Sequence, residues 1–86
     1  MKALEASLAA RKAIEALLGK PPETTTRCEK AQDGWEVQVE VMETKGRLAD
    51  NDILASFVLR LDADGDLDSY QRVRRYTRSG ASILAA

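Results

Sequence analysis

Gly34-Trp35-Glu36-Val37-Gln38-Val39-Glu40-Val41-Met42 decides the fold. Trp35, Val37, Val39 and Val41 alternate with Glu36, Gln38, Glu40 and Met42, the period of two that places one face of a strand in a core and the other outside. Asp33-Gly34 just before it is a turn signal, so a strand pairing with this one can precede it, and Thr24 to Glu29 is the candidate. Downstream, residues 44–52 read as a polar loop. Ile53 to Leu61 is the next strand, with Ile53, Ala55, Phe57, Leu59 and Leu61 on one face and Leu54, Ser56, Val58 and Arg60 on the other. Apolar groups on both faces mark a central strand covered in part on both sides, with a second copy of the chain over Leu54 and Val58 as one way to cover the far face. Asp62-Ala63-Asp64-Gly65 signals a hairpin, because glycine accepts positive φ without steric cost. Leu67 to Thr77 is then an antiparallel strand returning along its predecessor.

Upstream the period is helical. Leu4, Leu8, Ile14 and Leu18 recur within an alanine-rich segment, and Gly19 with Pro21-Pro22 ends it, so residues 3–18 form an amphipathic helix whose apolar stripe also holds Ser7 and Arg11. The two prolines make a stiff connector. Residues 79–86 show no pattern and read as a tail. The predicted class is α+β: an N-terminal helix (1–20) packed on a three- to four-stranded antiparallel β-meander (21–78), with a C-terminal tail (79–86). All three belong to one domain, because 86 residues have room for a single core and bury only ~60–65% of the surface of the unfolded chain.

The composition excludes a good deal of chemistry. There is no histidine, which removes the commonest general base and metal ligand together. Cys28 is the one cysteine. It cannot form an intrachain disulfide, and Arg27, Glu29 and Lys30 beside it supply no activating imidazole, so it reads as an inert thiol in a reducing, cytoplasmic setting. No apolar run approaches the ~20 residues a membrane-crossing helix needs. The run Asp62, Asp64, Asp66, Asp68 resembles a calcium loop at first sight, but its glycine falls at the fourth position and Val73 at the twelfth, where a glutamate is required. Glu36 and Glu40 lie ~13 Å apart on a strand, beyond the ~5–9.5 Å of a glycosidase pair. Neither an enzyme nor a cofactor is expected.

Charge is segregated although the net charge is only −1. Residues 34–69 sum to −6 and residues 70–86 to +4, the latter from Arg72, Arg74, Arg75 and Arg78. In a regular strand Tyr70, Arg72, Arg74, Tyr76 and Arg78 share one side, and Val73 shares the other with Leu67 and Arg75. Guanidinium groups alternating with phenols suit carboxylate or phosphate recognition with aromatic contact. The competing role is internal pairing with the acidic stripe of residues 36–43. The candidate partner-binding residues are therefore Trp35, Glu36, Glu40, Tyr70, Arg72, Arg74, Arg75, Tyr76 and Arg78.

At these residues the chain resembles the gas vesicle protein O family. The resemblance rests on Gly34-Trp35-Glu36-Val37 leading into Val39-Glu40-Val41, on Asp52-Ile53-Leu54-Ala55 before Phe57, and on Leu61-Asp62-Ala63-Asp64-Gly65 before Leu67. Its last part is Tyr70-Gln71-Arg72 leading to Arg74-Arg75-Tyr76-Thr77-Arg78. It spans about half the chain and leaves residues 1–33 unmatched. Ala49 stands where the family often has proline, and Phe57 where tyrosine is common. The resemblance implies a non-enzymatic accessory protein of gas vesicle formation, cytoplasmic or vesicle-associated, that binds other gas vesicle proteins, the AAA+ ATPase of the same gene clusters among them. The alternative is a small nucleic-acid-binding regulator that lays the same arginines on RNA phosphates and stacks Tyr70 and Tyr76 on bases. A sequence pI of ≈ 5.4 weighs against it, since nucleic-acid-binding domains are usually basic.

Overall fold

In the computed structural model, which describes residues 1–80 and the backbone of 82–84, one helix backs a sheet of strands that pair in chain order. The helix α1 is Ala3–Leu18. The strands are β1 (Pro22–Ala31), β2 (Gly34–Thr44), β3 (Ile53–Asp62), β4 (Leu67–Thr77) and β5 (Ser82–Leu84), in spatial order β1-β2-β3-β4-β5 with every neighbour antiparallel. The helix packed on an antiparallel meander is the architecture expected from the sequence. The first strand is longer than Thr24 to Glu29 and takes Pro22 as its first residue, an edge position where the missing N–H does no harm. Beyond β4, Ser82–Leu84 pairs with Arg75 and Tyr76 where a patternless tail was expected; Ala81, Ala85 and Ala86 of that tail lie outside the described residues.

Two glycines are set by geometry. A β-carbon on Gly34 would collide with the Leu61 carbonyl across the β2–β3 pair, so the strand can begin there only without a side chain. Gly65 takes φ +90° in the β3–β4 turn. In that turn Asp62 accepts hydrogen bonds from the backbone N–H groups of Asp64 and Asp66 at 2.9 and 3.0 Å, so the aspartate run builds a turn.

The core lies between α1 and one face of the sheet. Val37, Val39, Val41, Ala55 and Leu59 are fully buried against Ala6, Ala10 and Ile14, with Trp35, Phe57 and Leu61 completing the cluster. The helix therefore does not present the stripe that leucine spacing suggests. Leu4 and Leu8 are 71% and 52% exposed on its outer side, while Ala6 and Ala10 are at 0%. Two alanines a turn apart let the helix axis come close to the valines of β2, and further along the helix Ile14 is fully buried with Leu18 packed beside the cluster. Gly19 ends the helix in the left-handed conformation, its N–H reaching the Glu15 carbonyl.

Irregular pairing controls where side chains point. In β4, Phe57 pairs with Arg72 and Ser56 with Arg74, so Val73 is an extra residue. A similar shift falls between Met42 and Thr44 in β2. Each bulge exchanges the two faces of its strand, because side-chain alternation has a period of two.

Candidate functional site

The bulge at Val73 divides the arginine strand. Tyr70, Arg72 and Arg75 pair with Leu59, Phe57 and Ala55 and so lie on the helix side of the sheet, while Arg74 and Tyr76 pair with Ser56 and Leu54 and lie on the far side. The single face of Tyr70, Arg72, Arg74, Tyr76 and Arg78 expected from strict alternation is thus split. The sequence holds no glycine or proline at 73 that would announce the extra residue.

On the far side, Tyr76 is 9% exposed. Its hydroxyl donates to Glu40, whose carboxylate also lies 3.4 Å from Ser56 Oγ. The Arg74 guanidinium lies over the Tyr76 ring, 4.4 Å from its centre. Burial, helped by the adjacent Glu40 carboxylate, pushes the Tyr76 phenol up to about 12. With Leu54 at 5% and Ser56 at 0% exposed, this cluster gives the uncovered side of β3 a small core of its own. Further along, Glu36 bridges Arg27 (2.8 Å) and Arg60 (3.5 Å), and its hydrogen bond from Arg27 holds the carboxyl below its ordinary range.

Arg78 is engaged at the end of the sheet. Its guanidinium contacts Glu23 at 2.6 Å and Asp52 at 3.2 Å. Asp52 is buried and also takes the Gly46 N–H at 2.8 Å, which with Arg78 keeps its carboxyl below the usual range. This ties the 45–51 loop to the end of β4, and it ties both to the start of β1, across the two strands between them.

On the helix side, Glu43, displaced by the β2 bulge, lies 3.1 Å from Arg72 Nη1 and 2.9 Å from Arg75 Nε. The Lys20 ammonium donates to the Glu43 carbonyl. Tyr70 is 46% exposed and rests at 6.4 Å, centre to centre, from the Phe57 ring. Internal pairing with the acidic stripe thus accounts for Arg72 and Arg75 but not for Arg74. Trp35 belongs to the core under α1 and is 9% exposed; an exposed role for it does not fit. Cys28 lies beneath the helix start, its thiol 3.5 Å from the Ala3 carbonyl, and burial pushes its pKa up, away from nucleophilic character. Among the described residues no three acidic or thiol groups are placed to hold a metal ion, and no helix is long and apolar enough to cross a membrane. Glu43 is the last residue of the acidic stripe expected from the sequence, whereas Lys20 was not singled out; a basic group beside the Pro21-Pro22 connector was the available signal.

Fold and site together define a small α+β domain, a single helix on an antiparallel meander whose last long strand carries arginines on both faces. The chain belongs to the gas vesicle synthesis protein GvpO family, whose model matches residues 1–82. The match takes in the helix and β1, which the sequence resemblance had left out. The chain is 44% identical over 63 residues to gas vesicle protein O of Streptomyces sp. (strain CB03234), covering 72% of this chain and 48% of that one. It is 33% identical over 69 residues to gas vesicle protein O1 of Halobacterium salinarum (strain ATCC 700922 / JCM 11081 / NRC-1), covering 80% of this chain and 58% of that one. It therefore spans about half the length of these relatives. No solved structure matches it.

Proposed function

We propose that the protein is a non-enzymatic accessory factor of gas vesicle formation that works as an adaptor, holding other gas vesicle proteins during assembly. The family supports the process. What supports binding is that Asp68 to Arg74, seven consecutive residues of a strand joined to the central one, are all exposed, and a strand left open on both faces is a surface for a partner. An RNA-binding role is less well supported, because it needs Tyr70 and Tyr76 free on one face. Tyr76 instead lies buried against Glu40 on the opposite face from Tyr70.

The AAA+ ATPase of the gene cluster is one candidate partner, and a vesicle-associated cytoplasmic location follows from the same reading. The test is genetic and biochemical together. Deleting the gene from a vesicle-forming cell should reduce or abolish vesicles seen by electron microscopy, and the chain should co-purify with at least one gas vesicle protein when the two are co-expressed. Normal vesicles without the gene, or RNA binding with a steep salt dependence and no protein partner, would overturn the reading.

A further inference from the structure

The helix layer of this domain is half filled. Four strands spaced ~4.8 Å apart make a face wider than one helix of ~10 Å diameter. Accordingly α1 lies over β1, β2 and β3. The helix-side face of β4 stays open, with Tyr70 46% exposed and the Arg72 side chain 40% exposed. A strip beside the helix results. Its floor is Phe57 and Tyr70, its near wall is Leu18, and a cavity of about 230 Å³ opens between Leu18, Lys20, Glu43, Thr44 and Phe57.

The charge of that strip is unbalanced. Arg72 and Arg75 share one carboxylate, that of Glu43, and the Lys20 ammonium donates to the backbone carbonyl of the same residue. Arg75 Nε lies 2.9 Å from Glu43 Oε1 and Arg72 Nη1 lies 3.1 Å from Glu43 Oε2, so a further carboxylate is accommodated on the exposed sides of the two guanidinium groups.

We propose that this strip seats an acidic amphipathic helix from a gas vesicle protein, packed alongside α1 as the second member of the layer. The proposal rests on the adaptor reading and adds to it the site and the chemistry of the partner. Apolar side chains of the incoming helix lie on Phe57, Tyr70 and Leu18, and its carboxylates meet Arg72, Arg75 and Lys20. Tyr70 to Arg75 spans ~15 Å of strand, which matches about three helical turns. Tyr70 is the aromatic anchor, and the arginines set orientation and partner choice.

The experiment uses the full chain co-expressed with each gas vesicle protein of its cluster in turn, followed by titration with acidic peptides from whichever is retained. The double variant Tyr70→Ser with Arg72→Glu should weaken binding by at least ~10-fold, with an unchanged far-ultraviolet circular dichroism spectrum. Replacing an acidic residue of the bound peptide with lysine should restore much of the affinity for Arg72→Glu alone. Backbone amide shifts on titration should fall at Lys20, Phe57, Tyr70 and Arg72. Retention of a partner by the double variant at wild-type affinity, or shifts confined to Leu4 and Leu8 on the outer helix face, would overturn the site while leaving the adaptor reading standing. Failure of the wild type to retain any gas vesicle protein would overturn both.

Discussion

Replacing Ile14 with alanine tests the seating of the helix. Ile14 is at 0% exposure within the cluster formed by Val37, Val39 and Val41, and truncating such a side chain costs ~2–5 kcal/mol. A domain of 86 residues has ~4–13 kcal/mol in all, from ~0.05–0.15 kcal/mol per residue. The substitution should therefore remove a large fraction of the stability and lower the melting temperature by roughly 8 °C or more, at ~4–8 °C per kcal/mol. Two controls sharpen the test. Leu8→Ala, at a position 52% exposed, should change stability by no more than ~0.5 kcal/mol. Ala10→Leu, at 0% exposure, should destabilise by ~1–3 kcal/mol through overpacking even though leucine is a good helix former. Urea unfolding followed by circular dichroism at 222 nm reads all three. If Leu8→Ala proves as costly as Ile14→Ala while Ala10→Leu is neutral, the helix lies on its leucine stripe and the packing described above is wrong.

Two further outcomes can be measured directly. In a Tyr70→Phe variant only Tyr76 titrates as a phenol, and its absorbance change near 295 nm should be centred near about 12. Because the folded value is raised above the ordinary 10.0, the stabilisation is complete below that pH and is lost as pH rises from about 10 towards about 12. Tyr76→Phe, which removes the donor to Glu40, should cost ~1–3 kcal/mol at neutral pH and abolish this alkaline loss; a titration centred near 10 would mean the phenol is free. Thermal melts with EDTA and with added calcium should superimpose, since the Asp62 carboxylate is already committed to the backbone N–H groups of Asp64 and Asp66. A clear upward shift with calcium would assign the aspartate run to a metal instead.

Much of the meander was legible because its signals are local. Alternation from Trp35 to Val41 and from Ile53 to Leu61, with Asp-Gly at both turns, specifies two strands and the hairpins beside them without reference to the rest of the chain. The helix was legible as a helix but not in its rotation. Leucine carries the larger apolar surface, so a stripe is drawn through Leu4 and Leu8, yet the valine face of β2 selects the small side chains Ala6 and Ala10 because they allow closer approach. The candidate site was harder to read for a related reason. A bulge is a property of two paired strands, and nothing in the residues around Val73 or Glu43 states that one of them will be unpaired. One extra residue moved Arg72 and Tyr70 to the opposite face from Arg74 and Tyr76 and undid the single arginine–tyrosine row.

The strictly sequential strand order also dictates a timetable. Each strand pairs with the next in the chain, so every ladder can close as soon as its own short connection exists, with little loop entropy to overcome. The helix is different. It precedes every strand in the chain, but its contacts are with β1, β2 and β3, the last of which ends at Asp62. A lone 16-residue helix is marginal in water. Until β2 has emerged, Ala6, Ala10 and Ile14 lack the valines they pack on, and until β3 has emerged the layer beneath them is incomplete. The sheet then forms as a template and the helix docks onto it late, so Ile14→Ala should speed unfolding far more than it slows folding.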